Sequence, residues 1–126
     1  MKTALDLVAA AKAGIHEVNV AQAQDAVQQA DLPIDVREAD EYAQGHLPGA
    51  VHMPRGMLEF KLTGNPAYQP RDLRVVLYCK TSGRAALSTQ SLQAMGYLNV
   101  QSIAGGYDAW VAADLPVAKP QAPSFG

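Results

Sequence analysis

The run Val75-Val76-Leu77-Tyr78 constrains this 126-residue chain more than any other segment. It is apolar, β-branched or aromatic without a break. A strand buried on both faces reads this way, and such strands belong to parallel sheets covered by helices. Further short apolar or alternating runs lie at Ile15–Val20, Leu32–Val36 and Asn99–Ile103, with helical patterns between them. Helices are expected over 2–13, 21–30, 38–44, 85–95 and 108–113; Gly14, Gly45 and Gly96 end the first, third and fourth. Asn19 either ends the first strand or caps the helix that follows. Strands alternating with helices predict a small α/β domain with a parallel sheet, and ligands of such sheets bind beyond the carboxyl ends of the strands. Residues 55–72 hold Gly56, Gly64, Asn65, Pro66 and Pro70 and read as the least regular stretch. From Pro116 to Gly126 no pattern is visible, so 117–126 is expected as a flexible tail.

The length suits one domain over 1–126, and 48% apolar residues are enough for a globular core. A net charge of -2 lacks the basic footprint of a nucleic-acid binder. No apolar run approaches the roughly 18 residues of a membrane span. Asp6 and Lys12 interrupt the stretch in which a secretory signal would lie. The expectation is a cytoplasmic protein with neither a membrane nor a nucleic-acid partner. A single cysteine excludes an intramolecular disulfide framework and any multi-cysteine zinc or iron–sulfur site.

That cysteine, Cys79, ends the strongest strand, and Lys80-Thr81-Ser82-Gly83-Arg84 leads from it into a helix. A loop curling at a helix N-terminus aims backbone N–H groups inward and favours negative charge. A sulfur placed there is stabilised as thiolate, the nucleophilic form, and the Lys80 and Arg84 cations favour ionisation further. Gly83 permits the tight turn. The plainer reading of a lone cysteine is a buried, inert thiol.

The Cys79–Arg84 loop, followed by Ala85, resembles the active-site loop of the rhodanese sulfurtransferases. Asp35-Val36-Arg37-Glu38, Glu41-Tyr42 and Gly45 to Pro54 resemble that family's upstream signature, and Gly105-Gly106-Tyr107-Asp108-Ala109-Trp110 its C-terminal one. The three blocks cover about residues 15–116, the expected core. The resemblance implies a three-layer domain with a five-stranded, mostly parallel sheet flanked by helices. It implies that Cys79 takes the outer sulfur of thiosulfate or a related donor as a persulfide. A thiol, cyanide or a protein acceptor then removes that sulfur, with no cofactor required. Residues 80–84 would form the substrate-binding loop, and Asp35 and Arg37 would position it through hydrogen bonds, Asp35 more than Arg37. The plainer reading of that pair is a surface salt bridge worth little.

Cysteine-dependent phosphatases with the same fold place five residues between Cys and Arg, whereas four lie between Cys79 and Arg84. A phosphate needs a wider cradle than one sulfur, so phosphatase activity ranks lower. The family commonly has Gly where this chain has Ser82; the serine either donates its hydroxyl to the persulfide or caps the next helix. Glu38, Glu41 and His46 read as capping, pairing or packing residues, and Tyr107 and Trp110 as core. His46 and His52 have no third ligand at metal spacing, so no metal site is expected. Two other readings stand beside the enzyme. One is a persulfide carrier or docking module, with Met57, Leu58 and Phe60 of the irregular stretch as its partner surface. The other is an inactive regulatory domain, which ranks last because the cysteine and its whole loop are present.

Overall fold

The computed structural model describes residues 1–120. Its strands are β1 (Glu17–Val18), β2 (Leu32–Asp35), β3 (Val51–His52), β4 (Arg74–Tyr78) and β5 (Asn99–Ile103). Its α-helices are α1 (Ala4–Lys12), α2 (Val20–Gln29), α3 (Ala39–Gln44), α4 (Leu58–Thr63), α5 (Gly83–Ala94) and α6 (Gly106–Ala112). The strands form one five-stranded sheet in the order β1-β5-β4-β2-β3, and each pairing between them is parallel. The expected α/β architecture is the one observed, with "mostly parallel" sharpened to parallel throughout these strands.

The central position of β4 explains its unbroken apolar run. Val75 and Leu77 face one core with Ile34, Leu62, Leu92 and Val100, and Cys79 continues that side of the strand. Val76 and Tyr78 face the other core with Ala23, Val27, Leu47 and Trp110. Helices α1 and α4 pack beside α5 over the first core, and α2 packs with α6 over the second. Fully buried side chains such as Ile34, Leu77 and Leu92 each contribute about 2 kcal/mol of burial free energy.

The register brings several strand ends to one level. Asp35 pairs with Tyr78 on one side and with His52 on the other, so β2, β3 and β4 finish together directly below Cys79. The helices begin where the sequence supplies caps. Thr3 and Asp6 form a capping box on α1, and Asn19 caps α2 by accepting from the Gln22 amide, which decides between its two expected roles.

Three expectations need correction. The alternating run 15–20 contributes only Glu17–Val18 to the sheet, because Asn19 already caps α2. The irregular stretch contains α4 between two short 3₁₀ turns, Arg55–Met57 and Pro66–Tyr68. Leu58 and Leu62, four residues apart, bury one side of that helix against the core. Of the apolar residues expected there as a partner surface, Leu58 is buried, whereas Phe60 is 69% exposed and Met57 47%. The chain after α6 is also tied down. Trp110 Nε1 donates to the Pro116 carbonyl at 2.7 Å, and Ala118 and His46 exchange two backbone hydrogen bonds of 2.8 Å. A flexible tail beginning at 117 does not fit those bonds; the part of that segment from 121 onward lies outside the described residues.

Candidate active site

Cys79 lies at the carboxyl end of the central strand, 1% exposed, where β4 turns toward α5. The Ala85 amide, in the first turn of α5, donates to its Sγ at 3.4 Å. The far side of the loop is held by the start of α6. The Tyr107 and Asp108 amides donate to the Cys79 and Lys80 carbonyls at 2.8 and 3.0 Å. Gly106 has φ +55°, and a Cβ there would overlap the carbonyl oxygens of Cys79, Lys80 and Thr81. Only glycine gives the chain both that conformation and that approach. Gly105-Gly106 thus makes the tight turn from β5 into α6.

The consequence lies in the amides. A trans peptide points its N–H opposite to its carbonyl, so carbonyls of residues 79–81 directed at α6 turn the N–H groups of Lys80, Thr81 and Ser82 the other way. These three, with Gly83 and Arg84 at the start of α5, donate to no acceptor among the described residues. Five consecutive free amides beside a sulfur at a helix N-terminus form a site for negative charge. Burial alone would fit the inert-thiol reading. The free amides next to it form an anion site that an inert thiol has no use for.

The charged side chains depart from expectation. Lys80 Nζ is bound to Asp108 at 2.6 Å, and Arg84 makes two bonds to Glu41, at 2.8 and 3.2 Å. The Arg84 hydrogen bond holds the Glu41 carboxyl down at about 2. Each cation assigned to the sulfur therefore already has a carboxylate. Glu41 also closes the capping box of α3 with Glu38, so it pairs and caps as read from the sequence.

Asp35 and Arg37 are no surface pair. Asp35 is wholly buried, and Arg37 reaches it through Nε at 3.1 Å and Nη2 at 2.8 Å while also donating to the Gly45 carbonyl. Burial opposes the Arg37 charge, and the hydrogen bond and charge of Asp35 reverse that effect, so its pKa is raised. Neither residue bonds residues 79–84. Each instead touches a residue next to the loop or bonded to it: the Tyr78 hydroxyl donates to Asp35 at 2.7 Å, and the Tyr107 ring lies 4.1 Å from the Arg37 guanidinium. Arg37 lies near both tyrosine rings, whereas Asp35 holds Tyr78 by a direct hydrogen bond.

Ser82 occupies the N-cap position of α5, but its side chain makes no capping bond and accepts instead from Lys12 Nζ at 2.7 Å. Thr81 is exposed on the loop. Sequence reasoning missed Lys12 and Asp108 as neighbours of the site. They lie 70 and 28 residues from their partners, and no local pattern links them. His46 and His52 both stack on the Tyr42 ring, with centroids 3.9 and 4.8 Å away. Among the described residues, no three His, Cys, Asp or Glu side chains are grouped to hold a metal, and no helix is long and apolar enough to cross a membrane.

A family model described as "Rhodanese-like domain" matches residues 19–113. A sulfurtransferase of Allochromatium vinosum is 31% identical over 90 residues, covering 71% of this chain and 80% of that protein. Thiosulfate sulfurtransferase 18 of Arabidopsis thaliana is 31% identical over 114 residues, covering 82% and 83%. Among solved structures, a Rhodopseudomonas palustris protein of unknown function, described as a possible tyrosine phosphatase, superposes with a TM-score of 0.85 at 28% identity. The match covers 94% of this chain and 96% of that one.

Proposed function

This chain belongs to the rhodanese-like domain family, whose relatives are sulfurtransferases, and from that premise we propose that it moves sulfane sulfur from thiosulfate or a similar anionic donor through a Cys79 persulfide. The Cys79 thiolate attacks the outer sulfur of thiosulfate. A bond forms between the two sulfurs as the original sulfur–sulfur bond breaks, and sulfite leaves with the bonding electron pair. The persulfide keeps one negative charge beside the amides of residues 80–84. An external nucleophile, a thiolate or cyanide, then attacks the outer sulfur and restores the Cys79 thiolate. The chain has no second cysteine, so this acceptor must come from outside.

The observation that carries the reading is the row of free amides over a sulfur already bonded by Ala85 N–H. Donors fixed where charge develops stabilise it without reorganisation. The description of the Rhodopseudomonas protein raises phosphoryl transfer, but the four residues between Cys79 and Arg84 make a short cradle that suits one sulfur better than a phosphate.

Intact-mass measurement after incubation with thiosulfate tests the reading. The expected result is a gain of one sulfur, about 32 Da, on the wild-type chain and none on Cys79→Ala. No adduct on the wild type, or hydrolysis of an aryl phosphate in its place, overturns it. Loading by thiosulfate with negligible turnover to cyanide selects the carrier form of the same chemistry.

A further inference from the structure

We propose that Lys12, on the first helix, is a donor-specificity residue of the Cys79 site: its ammonium stands at the rim of the loop to receive the oxyanion end of the sulfur donor. The inference rests on the sulfurtransferase reading above.

Helix α1 lies against the loop. Lys12 Nζ donates to Ser82 Oγ at 2.7 Å, and a Cβ on Gly83 would meet Val8 Cγ2 at 3.5 Å, an ordinary contact. Val8 and Lys12 are one helical turn apart, so a single face of α1 covers the Ser82-Gly83 turn. This helix precedes residue 19, where the family match begins. The cation therefore comes from outside the matched core.

Three cations surround the loop. Lys80 and Arg84 are held by Asp108 and Glu41 at 2.6 and 2.8 Å. Lys12 differs, because its only carboxylate within 4 Å among the described residues is Glu17, at 3.9 Å, too far for a hydrogen bond. Glu17 Oε2 is itself buried with no hydrogen-bond partner. The Lys12 charge is thus incompletely compensated, its side chain is 35% exposed, and only one of its three N–H donors is spent on Ser82. Ser82 accepts that bond, which leaves its own O–H free to donate.

Donor geometry makes use of both. The outer sulfur of a thiosulfate-like donor must reach a buried Sγ, so its oxyanion end stays on the outer side of the loop. There the two remaining Lys12 donors and the Ser82 hydroxyl can bind oxygen, beside the exposed Thr81. Of the two roles read for Ser82, the structure leaves the hydroxyl available and the cap unmade.

The test is saturation kinetics with thiosulfate, alongside mass detection of sulfur on Cys79. Lys12→Gln is expected to raise KM about fivefold with kcat nearly unchanged, the size of one rim charge interaction. Lys12→Arg keeps KM near the wild-type value. Glu17→Gln, which removes the competing carboxylate, lowers KM. Raising ionic strength increases KM in the wild type and much less in Lys12→Gln. If the wild type loads sulfur and Lys12→Gln saturates at the same thiosulfate concentration, the Lys12 proposal falls and the sulfurtransferase reading stands. The Lys12 proposal falls equally if Lys12→Arg loses as much as Lys12→Gln, or if Glu17→Gln raises KM. If the wild type takes up no sulfur, both fall together.

Discussion

The Tyr107 amide donates to the Cys79 carbonyl oxygen across 2.8 Å. Through this bond, and that from Asp108 to Lys80, the turn into α6 fixes one side of the loop and frees the amides of the other. The Gly105–Trp110 segment thus acts on the Cys79 loop by orienting peptides, without contributing a reactive group.

Gly106 is the residue that allows the approach, with φ +55° and loop carbonyls where a Cβ would sit. Gly106→Ala must shift one segment away from the other. The expected loss is at least about 2 kcal/mol of stability, from left-handed strain and overpacking together, with impaired sulfur loading of Cys79 in the protein that still folds. Urea unfolding and intact-mass loading check both; a variant of wild-type stability and loading refutes the account.

Asp35→Asn removes the countercharge of a guanidinium only 3% exposed. Breaking one member of a buried pair is expected to cost about 3–5 kcal/mol, whereas Asp35→Asn combined with Arg37→Met costs less than the two single changes added together. Denaturant melts of the two single variants and the double variant measure the coupling. Simple additivity would mean that Arg37 is held by Gly45 and the tyrosine rings alone.

Glu41 gives a pH dependence with a definite sign. Its carboxyl falls from an ordinary 4.5 to about 2 in the fold, chiefly through the Arg84 hydrogen bond. A depressed folded value stabilises fully above 4.5, and that contribution is lost as pH falls through about 2. Wild type is therefore expected to exceed Glu41→Gln in stability at pH 6, with the gap closing as the pH approaches 2. Unfolding free energies of the two proteins across that range provide the check; a gap independent of pH would assign the difference to packing.

The helix and strand order was legible because its signals are local. Val75–Tyr78 announces a central strand, Asn19 offers a cap, and Gly14, Gly45 and Gly96 stop helices. Helix α4 was hidden because six residues between glycines and prolines hold too few turns to display a period, and burial of Leu58 and Leu62 decides it. The candidate site divides the same way. Cys79 and its loop were readable, since a strand end followed by a helix start in one short stretch dictates where amides gather.

Charge placement was not readable. The sequence puts Lys80 and Arg84 beside the sulfur, but a side chain several bonds long is placed by what lies within its reach, and that is known only after the chain has folded. Asp108, Glu41 and Lys12 arrive from three separate helices. The first two neutralise the adjacent cations, and the third supplies a cation from a helix outside the family match. The sequence by itself determined most of the elements and the placing of Cys79 at a strand end before a helix start, because these follow from neighbouring residues. Only the tertiary structure decided which charges remain uncompensated at the loop, because Coulomb interactions depend on distance in space, and here the partners are 28 to 70 residues apart in the chain.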